Sequence, residues 1–132
     1  QQVALYCAPT ADDRPSWQST MQHIALEGRC FVLSACQHLR RQQFPAEQMN
    51  NRLSDAPDAV LMRGGSVIID PLGKVLAGPV YDEDALLTAE LDLSLVPMGK
   101  MDFDVVGHYA RPDVFALQVD TAARHAVKLA GG

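Results

Sequence analysis

A chain of 132 residues, 48% of them apolar and 20% charged, is expected to bury one hydrophobic core. Its net charge of −5, with basic residues scattered singly apart from Arg40-Arg41, offers no footprint for a phosphate backbone, so nucleic acid is a poor partner. No apolar run nears the roughly 20 residues that span a bilayer, and the opening Gln1-Gln2 leads into a strand-like run rather than a secretory signal.

Val3 to Ala8 is nearly continuous apolar sequence closed by Pro9, the pattern of a central strand buried on both faces. Asp12 and Asp13 offer capping side chains, Pro15 suits a first helical turn, and Trp17, Met21, Ile24, Ala25 and Gly28 recur at helical spacing. That spacing predicts a helix from about Pro15 to Gly28. Cys30 to Cys36 is apolar again and rich in strand formers. Strand, helix and strand in that order describe a crossover unit, and a layered α/β domain follows as the fold class.

From Gln37 to Arg63 the chain turns polar, with at most a short helix around Ala46 to Leu53, and loops of this length usually carry an interface or a binding rim. Gly64-Gly65 reads as a turn. A hairpin follows, Ser66 to Ile69 and Lys74 to Ala77, around Asp70-Pro71-Leu72-Gly73 with its proline and glycine well placed. In Ala85 to Leu93, Thr88, Glu90 and Asp92 alternate with apolar neighbours, which predicts a third strand beside the hairpin. Val96 to Val106 suits a short helix with Pro97 in its first turn and Gly107 as its stop. Val114 to Val119 is a last predicted strand, and 121–132 a tail with a weak helical pattern.

A nucleophilic cysteine needs a lowered pKa and access to substrate. Cys7 and Cys30 lie in buried-strand patterns that favour inert packing. Cys36 stands two residues from His38, so a Cys-His pair is conceivable, but a structural thiol fits better. His23, His38, His108 and His125 are solitary and there is no Cys-x-x-Cys, so no metal is expected. Glu27 falls beside the helix's apolar stripe; it is either enclosed with a hydrogen-bonding partner or solvated in the last turn. Gly107 to Phe115 gathers His, Tyr, Arg and Asp with aromatics, a mixture that favours a clamp or interface over an active site. The odd cysteine count suits reduced thiols and a cytoplasmic location.

Four stretches also carry a family likeness: Tyr6-Cys7-Ala8-Pro9-Thr10-Ala11-Asp12, the run from Gln22 to Gln37, the hairpin from Gly64 to Pro79, and Gly107-His108-Tyr109-Ala110-Arg111-Pro112-Asp113-Val114-Phe115. Together they resemble the C-terminal half of a nitrilase, a carbon-nitrogen hydrolase, over roughly Val3 to Asp120. The resemblance implies half of an α-β-β-α sandwich, with residues 1–120 the C-terminal part of a single domain, 121–132 a tail, and an N-terminal half completing the fold. It implies subunits stacking into a homo-oligomer. It also implies hydrolysis of a nitrile to a carboxylic acid and ammonia through a cysteine thioimidate, with no cofactor, a glutamate as general base and a lysine stabilising the tetrahedral intermediate.

In such enzymes the nucleophile stands in a Cys-Trp-Glu context shortly before the strand that matches Val3 to Ala8. No Cys-Trp-Glu occurs in this sequence, so the triad is expected outside it, no catalytic residue is assigned within it, and the chain alone is expected to be inactive. By the same resemblance Pro9, Thr10 and Trp17 border the substrate pocket, and Glu27 is a buried support behind it. His108, Tyr109, Arg111 and Asp113 fall at a subunit contact. A cyanide-degrading relative is the nearest alternative; a non-catalytic assembly module is the other.

Overall fold

The computed structural model describes residues 3–45 and 56–122. Its first unit is β1 (Leu5–Thr10), α1 (Ser16–Gly28) and β2 (Phe31–Cys36). The two strands run parallel, from Leu5 opposite Phe31 to Thr10 opposite Cys36, and α1 is their crossover. The stripe read from the sequence is the face that packs: Met21 and Ala25 are buried, with Trp17 and Ile24 beside them, against Ala8, Val32, Val67 and Ile69. Burying each larger apolar side chain contributes about 1.5–3 kcal/mol. The helix ends where Arg29 enters the left-handed region at φ 47°, and its guanidinium reaches Asp102 at 3.0 Å and lies over the Phe103 ring. That clamp joins the end of α1 to the end of α2 (Leu95–Asp102).

The hairpin is longer than its sequence signal. Its strands are β4 (Val60–Ile69) and β5 (Val75–Tyr81), and the polar stretch after Cys36 contributes β3 (His38–Arg40) and a single 3₁₀ turn over Arg41–Gln43. β4 lies antiparallel to β2, with Ser34 opposite Val67, and the same register continues past Gln37 into β3, with His38 opposite Arg63. β2 and β3 therefore act as one interrupted strand, and β5 takes the other edge of β4. Gly64 and Gly65 are not a turn. They lie inside β4 at φ 89° and 112°, where the pairing with β5 slips, which makes them a bulge.

The tight turn is as expected. Asp70, 5% exposed, accepts on Oδ1 from the N–H groups of Leu72 (2.8 Å) and Lys74 (2.9 Å), while its own N–H donates to the Lys74 carbonyl. Asp70→Ala strips two amides of their acceptor and should cost about 2–3 kcal/mol, whereas Asp70→Asn keeps the accepting oxygen and should cost under about 1 kcal/mol. Urea midpoints of the two variants check this; equal losses would count against the turn as the cause.

Several expectations are corrected. β1 is an edge strand among the described residues, with Leu5 and Tyr6 47% and 42% exposed and Cys7 exposed as well. An apolar run reports that a strand suits burial; it does not name the neighbours that bury it. Ala85 to Leu93 forms no ladder; Leu86 and Leu87 instead lie near Leu33 and Ile68 on the sheet face opposite α1. Alternation specifies an extended chain; it does not specify a partner strand. Val114 to Val119 is exposed and unpaired for the same reason. α2 stops at Phe103, which turns extended, and Gly107 sits in the following turn. The short helix considered around Ala46 to Leu53 and the tail pattern beyond residue 122 lie outside the described residues.

Candidate functional site

The parallel strands end side by side at Thr10 and Cys36, and ligands of α/β sheets gather beyond such carboxyl ends. A groove of about 630 Å³ opens there, lined by Pro9, Thr10, Ala35, Cys36 and Gln37 among others. Beside it a hollow of about 280 Å³ is lined by His38, Gly64, Val80 and Asp84. Cys36, Gln37, Ser66 and Ala85 border both spaces.

Local hydrogen bonds hold this rim. Thr10 Oγ1 accepts the Asp12 N–H at 2.9 Å, and Asp12 takes both the Arg14 N–H and the Arg14 guanidinium, which holds its carboxyl down to about 2. Asp13 Oδ2 accepts the Arg63 N–H of β4 at 2.9 Å, tying the loop after β1 to the sheet. The Arg63 side chain grips Asp82 with two bonds of 2.9 and 2.7 Å and lies 5.2 Å over the Tyr81 ring. That guanidinium keeps the Asp82 carboxyl below the usual range. Ser66 Oγ accepts the Cys36 N–H at 3.0 Å and donates to the Cys36 carbonyl at 3.1 Å, a cross-tie just before the Gln37 interruption.

No activated thiol lines the groove. Burial pushes the Cys36 thiol up, with Asp13 and Asp12 adding to the effect, and burial raises Cys30 against a partial offset from Lys100. The Cys36 Sγ contacts the Gln37 carbonyl at 3.8 Å, and His38 is bonded to Asp84 instead, so the conceivable Cys-His pair does not form. A protonated thiol without a base is a packing group. If the groove is catalytic, Cys36→Ala should therefore leave kcat/KM within about threefold of the parent; steady-state kinetics that show a loss above about a hundredfold would make Cys36 a participant.

Of the residues singled out by resemblance, Pro9 and Thr10 line the groove. Trp17 does not: it packs beside the core, and its Nε1–H donates to Ser34 Oγ at 3.3 Å, which in turn donates to the Ala8 carbonyl. Glu27 is no buried support; its side chain is 58% exposed and pairs with His23 Nε2 at 3.1 Å one helical turn away. This fits the solvated reading: α1 turns Ala25 and, in part, Ile24 inward and leaves Glu27 outward. His108, Tyr109, Arg111 and Asp113 form an exposed knot: the His108 and Tyr109 rings are 4.6 Å apart, and Arg111 grips Asp113 through bonds of 2.8 and 2.6 Å. Sequence reasoning missed Ser66 and Asp84 as rim residues. The available signal was the polar pair Gln37-His38 closing an apolar strand at the carboxyl edge.

Residues 5–98 match the carbon-nitrogen hydrolase family model, and the chain belongs to that family. Within it, the chain is 66% identical over 125 residues to the aliphatic nitrilase of Sinorhizobium fredii, covering 95% of this chain and 40% of that protein. It is 59% identical over 127 residues to a nitrilase of Bradyrhizobium diazoefficiens, covering 96% of this chain and 39% of the relative. An arylacetonitrilase of Trametes versicolor is 56% identical over 120 residues, covering 90% and 38% respectively. The chain thus spans about 40% of the length of these relatives. The carbon-nitrogen hydrolase of Helicobacter pylori G27 shares the fold, with a TM-score of 0.58 at 14% identity over 86% of this chain and 39% of that one.

Proposed function

We propose that residues 1–120 are the C-terminal part of the catalytic domain of a nitrilase, with 121–132 as its tail, and that the groove beyond β1 and β2 is one wall of the nitrile site. The observation that carries this is a groove at the carboxyl ends of two parallel strands whose own thiol is held protonated, in a chain 66% identical to an aliphatic nitrilase. On this reading an N-terminal half brings the cysteine, glutamate and lysine. The thiolate sulfur adds to the nitrile carbon to give a thioimidate; one water, activated by the glutamate, adds and ammonia leaves; a second water releases the carboxylic acid. Lysine stabilises the charge that develops at the tetrahedral stage.

Pro9 and Thr10 would face the substrate, and Trp17 would steady Pro9 through Ser34 and the Ala8 carbonyl. The exposed knot of His108, Tyr109, Arg111 and Asp113 would meet a second subunit in a homo-oligomer, and the three free thiols suit a cytoplasmic enzyme. Ammonia release from butyronitrile, phenylacetonitrile, cyanide and propionamide tests the reading, with the whole enzyme and with residues 1–132 alone. Nitrile turnover by the whole enzyme and none by the isolated chain is the expected result. Cyanide as sole substrate would make it a cyanide-degrading relative, amide as sole substrate an amidase, and silence on all four an assembly module. Turnover by the isolated chain would overturn the placing of the triad elsewhere.

A further inference from the structure

We infer that His38 and Asp84 are positioning residues that set the width of this groove, and with it the size of nitrile accepted; the inference rests on the nitrilase reading. The His38 side chain is only 6% exposed, its Nδ1 lies 3.1 Å from Asp84 Oδ1, and its Nε2 is buried with no partner among the described residues. Asp84, 78% exposed, is a solvated carboxylate that only accepts, so Nδ1 carries the hydrogen and donates it. Among the described residues, the ring's single polar tie is thus to a residue 46 positions away in sequence.

That tie falls where the backbone has little else to hold it. After the Asp82 N–H, which donates to Arg63, no backbone hydrogen bond of residues 83–91 is made among the described residues. Asp84 is fixed by His38, and three residues later Leu87 packs over Gly78. Ala85, between these two anchors, is a shared wall of the groove and the hollow beside it. Of the other shared walls, Cys36 and Ser66 sit on paired strands and are cross-tied to each other, and Gln37 is held between two paired residues, Cys36 opposite Thr10 and His38 opposite Arg63. Ala85 is therefore the wall that can shift, and the imidazole of His38 decides where it stands. This is a positioning role, since neither His38 nor Asp84 needs to touch the reacting carbon.

The test uses the whole enzyme and four variants: Asp84→Leu, Asp84→Asn, His38→Phe and the double variant His38→Phe/Asp84→Leu. Asp84→Leu and His38→Phe should each raise KM for butyronitrile about tenfold, leave its kcat within about twofold, and shift the preference toward phenylacetonitrile. Asp84→Asn keeps an acceptor for Nδ1–H and should behave as the parent; the double variant should be no worse than either single, as expected for residues acting as one unit. Conformational exchange at 85–87, read by backbone ¹⁵N relaxation dispersion, should rise in Asp84→Leu and His38→Phe and stay at the parental level in Asp84→Asn. Equal behaviour of Asp84→Asn and Asp84→Leu, additive effects in the double variant, or an unchanged exchange rate would overturn the inference. If the parent turns over no nitrile, the nitrilase reading fails by itself, and the exchange measurement still decides whether the pair positions Ala85.

Discussion

Gly78→Ala should cost the fold about 2–5 kcal/mol, much of the margin of an ordinary domain. Gly78 sits at φ 78° in β5, a conformation that burdens any residue with a Cβ. An added Cβ would fall 2.4 Å from the Ser66 carbonyl oxygen, 3.0 Å from Leu87 Cδ1 and 3.3 Å from Val67 Cα. Two of those neighbours are backbone of β4, whose Val67 is completely buried, so the clash cannot be relieved by a side-chain rotation. Any retreat of Ser66 also disturbs its two hydrogen bonds with Cys36, and the groove deforms with the sheet. Gly99→Ala is the contrasting substitution, since its Cβ would meet only movable groups, Arg29 Cδ at 3.1 Å and Leu72 Cδ2 at 3.5 Å. There the gain of up to about 1 kcal/mol from replacing glycine within a helix should roughly offset the crowding. Urea denaturation of both variants decides the matter. A Gly78→Ala midpoint no lower than that of Gly99→Ala would refute the argument.

Gly65→Ala should reduce kcat/KM on the order of tenfold to a hundredfold while costing about 1–3 kcal/mol of stability. At φ 112° the backbone of Gly65 lies where side chains are rarely tolerated, and a Cβ would stand 2.8 Å from Tyr81 Cε1 and 3.3 Å from Gln18 Nε2. Unlike the Gly78 case, both obstacles are side chains, so the fold survives by moving them. The Tyr81 ring is the floor on which Arg63 rests, and Arg63 holds Asp82 through its side chain and Asp13 through its backbone N–H. Asp13 belongs to the loop that follows Thr10 at the groove. A shift of about 1 Å in that chain of contacts is the scale at which positioning for catalysis fails. Asp13→Ala should reproduce part of the activity loss, and Asp13→Asn, which keeps an accepting oxygen, should spare it. Parental kcat/KM in Gly65→Ala would show that the loop is held independently of Tyr81.

The contrast between these two glycines shows where sequence reasoning stops. Gly64-Gly65 reads as a turn because paired glycines commonly mark one. In the folded chain they are a bulge, since β4 must serve β2 and β3 on one edge and β5 on the other, and its register with β5 slips at that point. The Glu27 alternatives were equally balanced by spacing. They resolve only once the faces of α1 are assigned, with Ile24 and Ala25 inward and Glu27 beside His23 in solvent.

What the sequence determined by itself is what depends on near neighbours. The stripe of α1 from Trp17 to Ala25, the turn at Asp70 to Gly73, the strand, helix, strand order and the family likeness are all properties of short stretches, in which spacing and side-chain chemistry act directly on the local backbone. The tertiary structure alone decided which edges pair, that Ala85 to Leu93 crosses a sheet face without joining a ladder, and that β2 resumes as β3 beyond Gln37. It also brought His38 to Asp84 and Arg63 to Asp13 across 46 and 50 residues. These are contacts between segments far apart in the chain, whose free energy depends on the simultaneous placement of both partners, and no local pattern encodes that.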